Sequence, residues 1–232
     1  MNYIHSQMNS NIKTIISLEG NIGAGKSSFM AILKERLGEQ VEFVDEPVDE
    51  WISMKNNKGE NLLQVFYENK KRWSYTFQNI AYITRMKKIM DIMMNSTKKM
   101  IIMDRSLEGD MNTFTKMLKE DGDIDDMEWQ AYLKWNKFFS DYIGKNVETK
   151  HIYLRCAPDV AYTRIIKRDR NEEATIPIEY IIKLDEYHEK WLLNDDKDQV
   201  LILNVDKDFV KNEDNKEVVF KYAYQNMLGK YI

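Results

Sequence analysis

Five short runs rich in aliphatic and β-branched residues punctuate the chain, and between them apolar residues recur at helical spacing. Residues 14–19, Thr14-Ile-Ile-Ser-Leu-Glu19, read as a buried strand that stops at a glycine. Residues 41–45, 100–103, 149–154 and 200–203 read as four more strands. Helical patterns are expected over 26–38, 48–56, 62–70, 71–96, 107–119, 126–143 and 214–229. Two further helices should open at Pro158 and Pro177, since proline suits a first helical position. Polar turns are expected around Asn56 to Glu60 and at Asp121-Gly-Asp. Strands alternating with helices from end to end predict an α/β fold: a five-stranded parallel sheet flanked by helices. With no internal repeat and no linker rich in Gly, Ser or Pro, residues 1–232 are expected to form one domain.

Composition narrows this picture. Hydrophobic residues make up 43% of the 232, enough for a sizeable core and against disorder. Three prolines and nine glycines argue against a loop-rich all-β fold. The single cysteine, Cys156, cannot form an internal disulfide, which points to a reducing compartment. A net charge of -4 argues against a nucleic-acid polymer as partner. Even the Met-rich run near residues 90–103 is broken by Asp91, Lys98 and Lys99, so no membrane span is expected. The polar start, without an apolar signal core or transit arginines, makes a cytoplasmic location the expectation.

The strongest chemical signal is Gly20-Asn21-Ile22-Gly23-Ala24-Gly25-Lys26-Ser27, which matches Gly-x-x-x-x-Gly-Lys-Ser in full. It lies directly after a predicted strand and before a predicted helix, the context this phosphate loop requires. Glycines let backbone N–H groups turn inward around phosphate oxygens, and the helix N-terminus adds a favourable dipole. Lys26 can reach the outer phosphates, and the Ser27 hydroxyl can bind Mg²⁺. None of the Asn-Lys pairs continues as Asn-Lys-x-Asp, so guanine recognition of the GTPase kind is not expected.

In a parallel sheet the carboxyl ends of the strands share one crevice. The phosphate loop follows strand 1, Glu46 follows strand 2, and Asp104-Arg105-Ser106 follows strand 3. Arg164 and Arg168 are four apart on one helical face, with Arg170 just beyond; guanidiniums there would stabilise charge on a transferring phosphoryl group. A solvated helix paired with Glu172 and Glu173 is the bland alternative. Gln78, Ala81 and Arg85 share a face of the long helix, with Trp73 and Phe77 adjacent, and Trp51 or Phe114 can wall a base. Core packing of an amphipathic helix accounts for the same stripe.

Together these residues resemble the deoxynucleoside kinase family, in its deoxycytidine/deoxyguanosine kinase branch. The resemblance runs from Ile16 to the last helix. It rests on Glu19 to Ser27, Glu46-Pro-Val with Trp51, Tyr67 followed by Arg72-Trp-Ser-Tyr-Thr-Phe77-Gln78, Asp104-Arg-Ser, and Arg168-Asp-Arg-Asn-Glu-Glu173 with Ile176-Pro-Ile-Glu-Tyr180. It implies transfer of the γ-phosphoryl of ATP to the 5′-hydroxyl of a deoxyribonucleoside, in nucleotide salvage. Glu46 would be the general base and Arg105 would hold it. Lys26 and the loop residues through Ser28 would bind ATP, with Asp208 and Phe209 at its base. Asp104 and Ser27 would organise Mg²⁺; Glu is common in the family where Asp104 stands, and the shorter side chain puts direct contact with the metal in question. Arg164, Arg168 and Arg170 would form a lid over 164–173. Tyr67 and Glu173 would hold the 3′-hydroxyl, with Phe77 and Gln78 as base contacts. The helices at 71–96 and 126–143 would pair two subunits in a homodimer.

Arg85 and Asp110 match the family's Arg–Asp pair. An aspartate accepts from an exocyclic amine and an arginine donates to a ring nitrogen or carbonyl, so deoxyadenosine, deoxyguanosine or deoxycytidine is expected over thymidine. A nucleoside monophosphate kinase of the thymidylate type is the nearest alternative enzyme, and an ATP-binding switch without an acceptor is an alternative of another class. Replacing Arg85→Met together with Asp110→Ala should open the site to thymidine. Thymidine phosphorylation no higher than that of the unaltered chain would count against this pocket.

Overall fold

The computed structural model describes residues 13–143, 147–173, 175–194 and 198–232. Strand β1 (Lys13–Glu19) is buried along its whole length, as befits the centre of a parallel sheet. The other strands are β2 (Glu42–Val44), β3 (Met100–Asp104), β4 (Val147–Arg155) and β5 (Val200–Asn204), and all five are parallel in the order β2-β3-β1-β4-β5. The register pairs Ile16 with Ile102 and Leu18 with both Asp104 and Ile152, so β1 and β3 end within one residue of each other and β4 runs two residues further.

Successive residues of each strand feed opposite cores. Ile16, Leu18, Ile102, Ile152 and Leu154 pack against helices α1 (Lys26–Leu37), α7 (Pro158–Arg168), α8 (Ile178–Leu192) and α9 (Glu213–Asn226), through residues such as Phe29, Ile165, Leu184 and Ala223. Ile15, Val44, Ile101 and Met103 pack on the other face, against α4 (Lys70–Asn95) and α6 (Asp126–Ile143), through Tyr82, Met86, Ile89 and Tyr132. A third cluster gathers Trp51, Leu63, Phe66, Phe77 and Leu118 from α2 (Val48–Ser53), α3 (Leu62–Glu68), α4 and α5 (107–120).

Most expected elements are present, with instructive differences at their ends. Helix α2 stops at Ser53, not 56, and the polar turn that follows is closed by a bridge between Lys55 and Asn61. Asn69 separates α3 from α4: its side chain accepts from the N–H of Arg72, so one residue ends one helix and caps the next. The helix expected over 107–119 is not uniform. Leu107–Gly109 and Lys116–Glu120 are α-helical, but Asp110–Thr115 between them forms a π turn.

Two connections set the geometry of the strand ends. Glu19, buried at the end of β1, accepts from the backbone N–H of Ser106 at 2.7 Å and from its hydroxyl at 2.6 Å, which ties β1 to the start of α5. Gly109 packs against that carboxylate so closely that a Cβ would lie 2.9 Å from Glu19 Cδ and nearer still to Oε2. Arg105 turns the chain from β3 into α5 with φ 66, a left-handed conformation that non-glycine residues adopt only when their surroundings demand it. Gly109→Ala should destabilise the fold by roughly 1–3 kcal/mol, as overpacking of a closed site does. Chemical denaturation measures this, and a change below about 0.5 kcal/mol would contradict the packing described.

Candidate active site

At the carboxyl edge of the sheet lies a cavity of about 910 Å³. Its walls come from the phosphate loop, the segments after β2 and β3, one face of α4, the π turn of α5, the end of α7 and the loop after β5.

Ile22, Gly23, Gly25, Lys26, Ser27 and Ser28 line one end. Gly23 is at φ 82 and sits where a Cβ would overlap the carbonyl of Ala161, so the loop must be bare backbone here. Gly20, Asn21 and Ala24 do not line the cavity. The Asn21 amide donates to the carbonyl of Ile181 at 2.8 Å and its Oδ1 accepts from the N–H of Ile22 at 2.9 Å, which moors the loop to α8. Lys26 Nζ donates to the carbonyls of Gly20 at 3.1 Å and Asn21 at 2.9 Å. Burial lowers its pKa to about 8, with Arg105 adding to the effect against the pull of Asp104, Glu46 and Glu19.

Ser27 donates its hydroxyl hydrogen to Asp104 Oδ2 at 3.3 Å. Asp104 Oδ1 is buried and has no hydrogen-bonding partner among the described residues. A free carboxylate oxygen beside a hydroxyl, facing a phosphate loop, is a fitting donor pair for a hard divalent cation that takes its remaining ligands from phosphate and water. Among the described residues no group of three or more His, Cys, Asp or Glu could hold a metal by itself. Burial and then repulsion by Glu46 push the Asp104 carboxyl up to about 6.

Glu46 stands at the middle of the cavity. Its Oε1 accepts from Arg85 at 2.6 Å and lies 3.4 Å from Arg105 Nε. Burial works against its charge, but Arg85, Arg105 and Lys26 together outweigh that, and the carboxyl sits below its ordinary value. It is therefore ionised at neutral pH. The Arg105 guanidinium lies over the ring of Phe114, 4.5 Å from its centroid.

The far end is walled by Trp51, Leu63, Phe66, Tyr67, Phe77, Ala81 and Phe114. Phe77 is stacked on Phe66 at 4.4 Å and meets Trp51 edge-on at 5.2 Å, while Trp51 Nε1 donates to Thr84. Polar groups enter this apolar lining as one connected set. Arg85 donates to Asp110 Oδ1 at 2.9 Å, Tyr132 to Asp110 Oδ2 at 3.2 Å, and Thr115 to Gln78 Oε1 at 3.1 Å. Trp73, which its spacing puts beside this face, lies outside the lining and stacks with Arg72 instead.

Arg164, Arg168 and Arg170, expected to form a lid, line the cavity but hold protein partners. Arg164 donates to the carbonyls of Val205 and Asp206, pinning the loop after β5 to α7. Arg168 and Arg170 each pair with one oxygen of buried Glu173. Arg168 closes α7, and the turn that carries Arg170 and Glu173 begins at Asp169, in a left-handed conformation at φ 52. Tyr67 lies near enough to Glu173 for its phenol to be held well above the ordinary value, by burial first and then by Tyr180 and that carboxylate. Asp208 accepts from the N–H groups of Val210 and Lys211, and Phe209 is buried edge-on against Phe29 beneath the phosphate loop.

Three features lie beyond what sequence reasoning reached. Arg85, assigned to the base alone, also bridges to Glu46, 39 residues away. Thr115 joins the polar set because the π turn moves it onto the face of Asp110; in a regular helix residues five apart point in different directions. Lys167 and Lys211 add two cations to the opening. Their clustering near Arg168 was visible for the first and hidden for the second.

Comparison with known proteins matches the chain to one family. A family model described as deoxynucleoside kinase matches residues 16–228. The chain is 36% identical to a probable deoxycytidine kinase of fowlpox virus (strain NVSL), over 94% of this chain and 89% of the relative. It is 35% identical to deoxycytidine kinase of Homo sapiens, over 93% and 88%, and 32% identical to mitochondrial deoxyguanosine kinase of Xenopus laevis, over 85% and 83%. A phosphate loop at one end of the cavity, an ionised glutamate at its centre and an aromatic pocket at the other are thus accounted for together: the chain belongs to the deoxynucleoside kinase family.

Proposed function

We propose that the chain transfers the γ-phosphoryl of ATP to the 5′-hydroxyl of a deoxyribonucleoside, with Glu46 as the general base. The observation that carries this reading is the position of Glu46: charged, midway between phosphate loop and aromatic pocket, with two guanidiniums on one oxygen. The loop and Lys26 hold the triphosphate. The aromatic pocket takes the base, and Tyr67 and Glu173 bind the sugar 3′-hydroxyl. The second carboxylate oxygen of Glu46 accepts the proton of the 5′-hydroxyl as it attacks. Little base strength is needed, because the transition state is loose and the alcohol loses its proton late. Arg105 steadies Glu46, and Arg164, Arg168 and Arg170 face the phosphates.

Ser27 and Asp104 would hold Mg²⁺, which when bound offsets charge on the β- and γ-phosphates. Asp208 and Phe209 border the donor's adenine. At the base, Arg85 and Asp110 favour adenine, guanine or cytosine over thymine. Exposed Ile83 and Met94 on α4, with Met127, Trp135 and Phe138 on α6, form the face on which two copies pair. No helix among the described residues is long and apolar enough to cross a membrane. The single buried thiol, Cys156, fits work in the cytoplasm.

Glu46→Gln should lower kcat about 10²–10⁴-fold, the usual contribution of a positioned base. ATP binding, read as a thermal shift, should persist. Full turnover in this variant would remove Glu46 from the chemistry. Arg85→Met tests the electrostatics. Removing that cation lets the Glu46 carboxyl rise, and activity needs the ionised form, so the acid limb of the pH–kcat/KM profile should move to higher pH. An unmoved limb, or one at lower pH, would contradict the hold of Arg85 on Glu46.

A further inference from the structure

The π turn places a hydroxyl where the reaction has no evident use for one. Thr115 is fully buried. Its Oγ1 lies 3.1 Å from Gln78 Oε1 and 3.0 Å from the backbone carbonyl of Asp110. A hydroxyl has one hydrogen to donate, and here those two oxygens compete for it, with the Tyr132 hydroxyl as a third hydrogen-bonding neighbour. The carbonyl of Asp110 can only accept. The amide of Gln78 can do either, because turning it end for end exchanges a C=O for an N–H at nearly constant shape. Two complete arrangements therefore exist. In one, Thr115 donates to Gln78 Oε1. In the other, Thr115 donates to the Asp110 carbonyl and accepts from Gln78 Nε2. Neither leaves the amide end at Thr115 unpaired.

This matters because Gln78 lines the cavity among the aromatic residues of the base pocket, on the same face as Ala81 and Arg85. A nucleobase edge presents a donor beside an acceptor, and the order differs between bases. Cytosine and adenine place a ring-nitrogen acceptor beside an amine donor; guanine places a ring N–H donor beside a carbonyl acceptor. An amide locked one way fits one order and opposes the other. We propose that Thr115 is a specificity-determining positioning residue: its rotatable hydroxyl supports both orientations of the Gln78 amide, so that one pocket accepts bases of either edge order. The proposal rests on the deoxynucleoside kinase reading and deepens it at the base.

The two charged neighbours that reach the cavity, Asp110 and Arg85, lack this freedom. Asp110 has both oxygens engaged, by Arg85 and Tyr132, and is acceptor-only when ionised. Arg85 is donor-only and is held by two carboxylates. Among the polar groups that line the pocket beside the aromatic residues, Gln78, backed by Thr115, is thus the reversible one. With an apolar residue at 115, the orientation that turns N–H toward it leaves a buried donor unpaired, which is worse than an unpaired carbonyl; one amide orientation is then disfavoured.

The test compares kcat/KM for deoxycytidine and deoxyguanosine in the full-length chain and in Thr115→Val, Thr115→Ala and Thr115→Ser. The unaltered chain should phosphorylate both nucleosides. In Thr115→Val the ratio of the two kcat/KM values should move about tenfold, the effect of one buried unpaired polar group. The change should lie in the nucleoside KM, with the KM for ATP unchanged. Thr115→Ala supplies the same reading should the valine variant not fold. Thr115→Ser, which keeps the hydroxyl, should restore the ratio. A ratio unmoved in both hydroxyl-free variants, a serine variant that fails to restore it, or an unaltered chain confined to one edge order would overturn the proposal while leaving the kinase reading intact. Failure of the unaltered chain to phosphorylate any deoxynucleoside would instead strike the kinase reading and this proposal with it.

Discussion

A single buried guanidinium, shared between two carboxylates, joins the phosphate-loop end of the cavity to its aromatic end. Arg85 donates from one guanidinium nitrogen to Glu46 and from another to Asp110. An unpaired guanidinium at this depth would carry a heavy desolvation cost; two carboxylates make its charge tenable. The dependence is mutual. Burial pushes both carboxyls up, and Arg85 is the strongest influence bringing each back toward ionisation. The charge on Glu46 is therefore a property of the aromatic pocket as much as of the phosphate loop, and under the function proposed above a substitution made to change base preference would reach the chemistry as well.

The fold supplies the rigidity that such an arrangement needs. Glu46 and Arg105 follow adjacent strands, and Arg105 is held in a left-handed turn. Arg85 and Gln78 stand on a helix of 26 residues whose other face is buried against the sheet. Asp110 is fixed at its second oxygen by Tyr132 from α6, a helix whose outer face carries exposed aromatic residues. Asp110 is thus one side chain away from the surface proposed for pairing two copies.

What could be read from sequence follows from range. The phosphate loop is contiguous, with its roles set by spacing, and β1 and α1 frame it as expected. The alternation of strands and helices predicted the parallel sheet, because buried central strands and amphipathic helices have distinct periods. Helix faces were legible as well: Gln78, Ala81 and Arg85 all line the cavity. Contacts that span the chain were not. Nothing local marks Arg85 as a partner of Glu46, or Arg164 as the residue that pins carbonyls 41 and 42 positions on. The π turn was invisible because one extra residue per turn leaves composition unchanged while rotating Thr115 onto the face of Asp110.

The central claim is that a triphosphate and an uncharged sugar alcohol meet across Glu46. Incubation with ATP labelled at the γ-phosphorus, with the deoxynucleosides and their monophosphates offered separately, tests it most directly. The account predicts label at the 5′-position of a deoxynucleoside. Label released only into water, or passed only to a monophosphate, would contradict it.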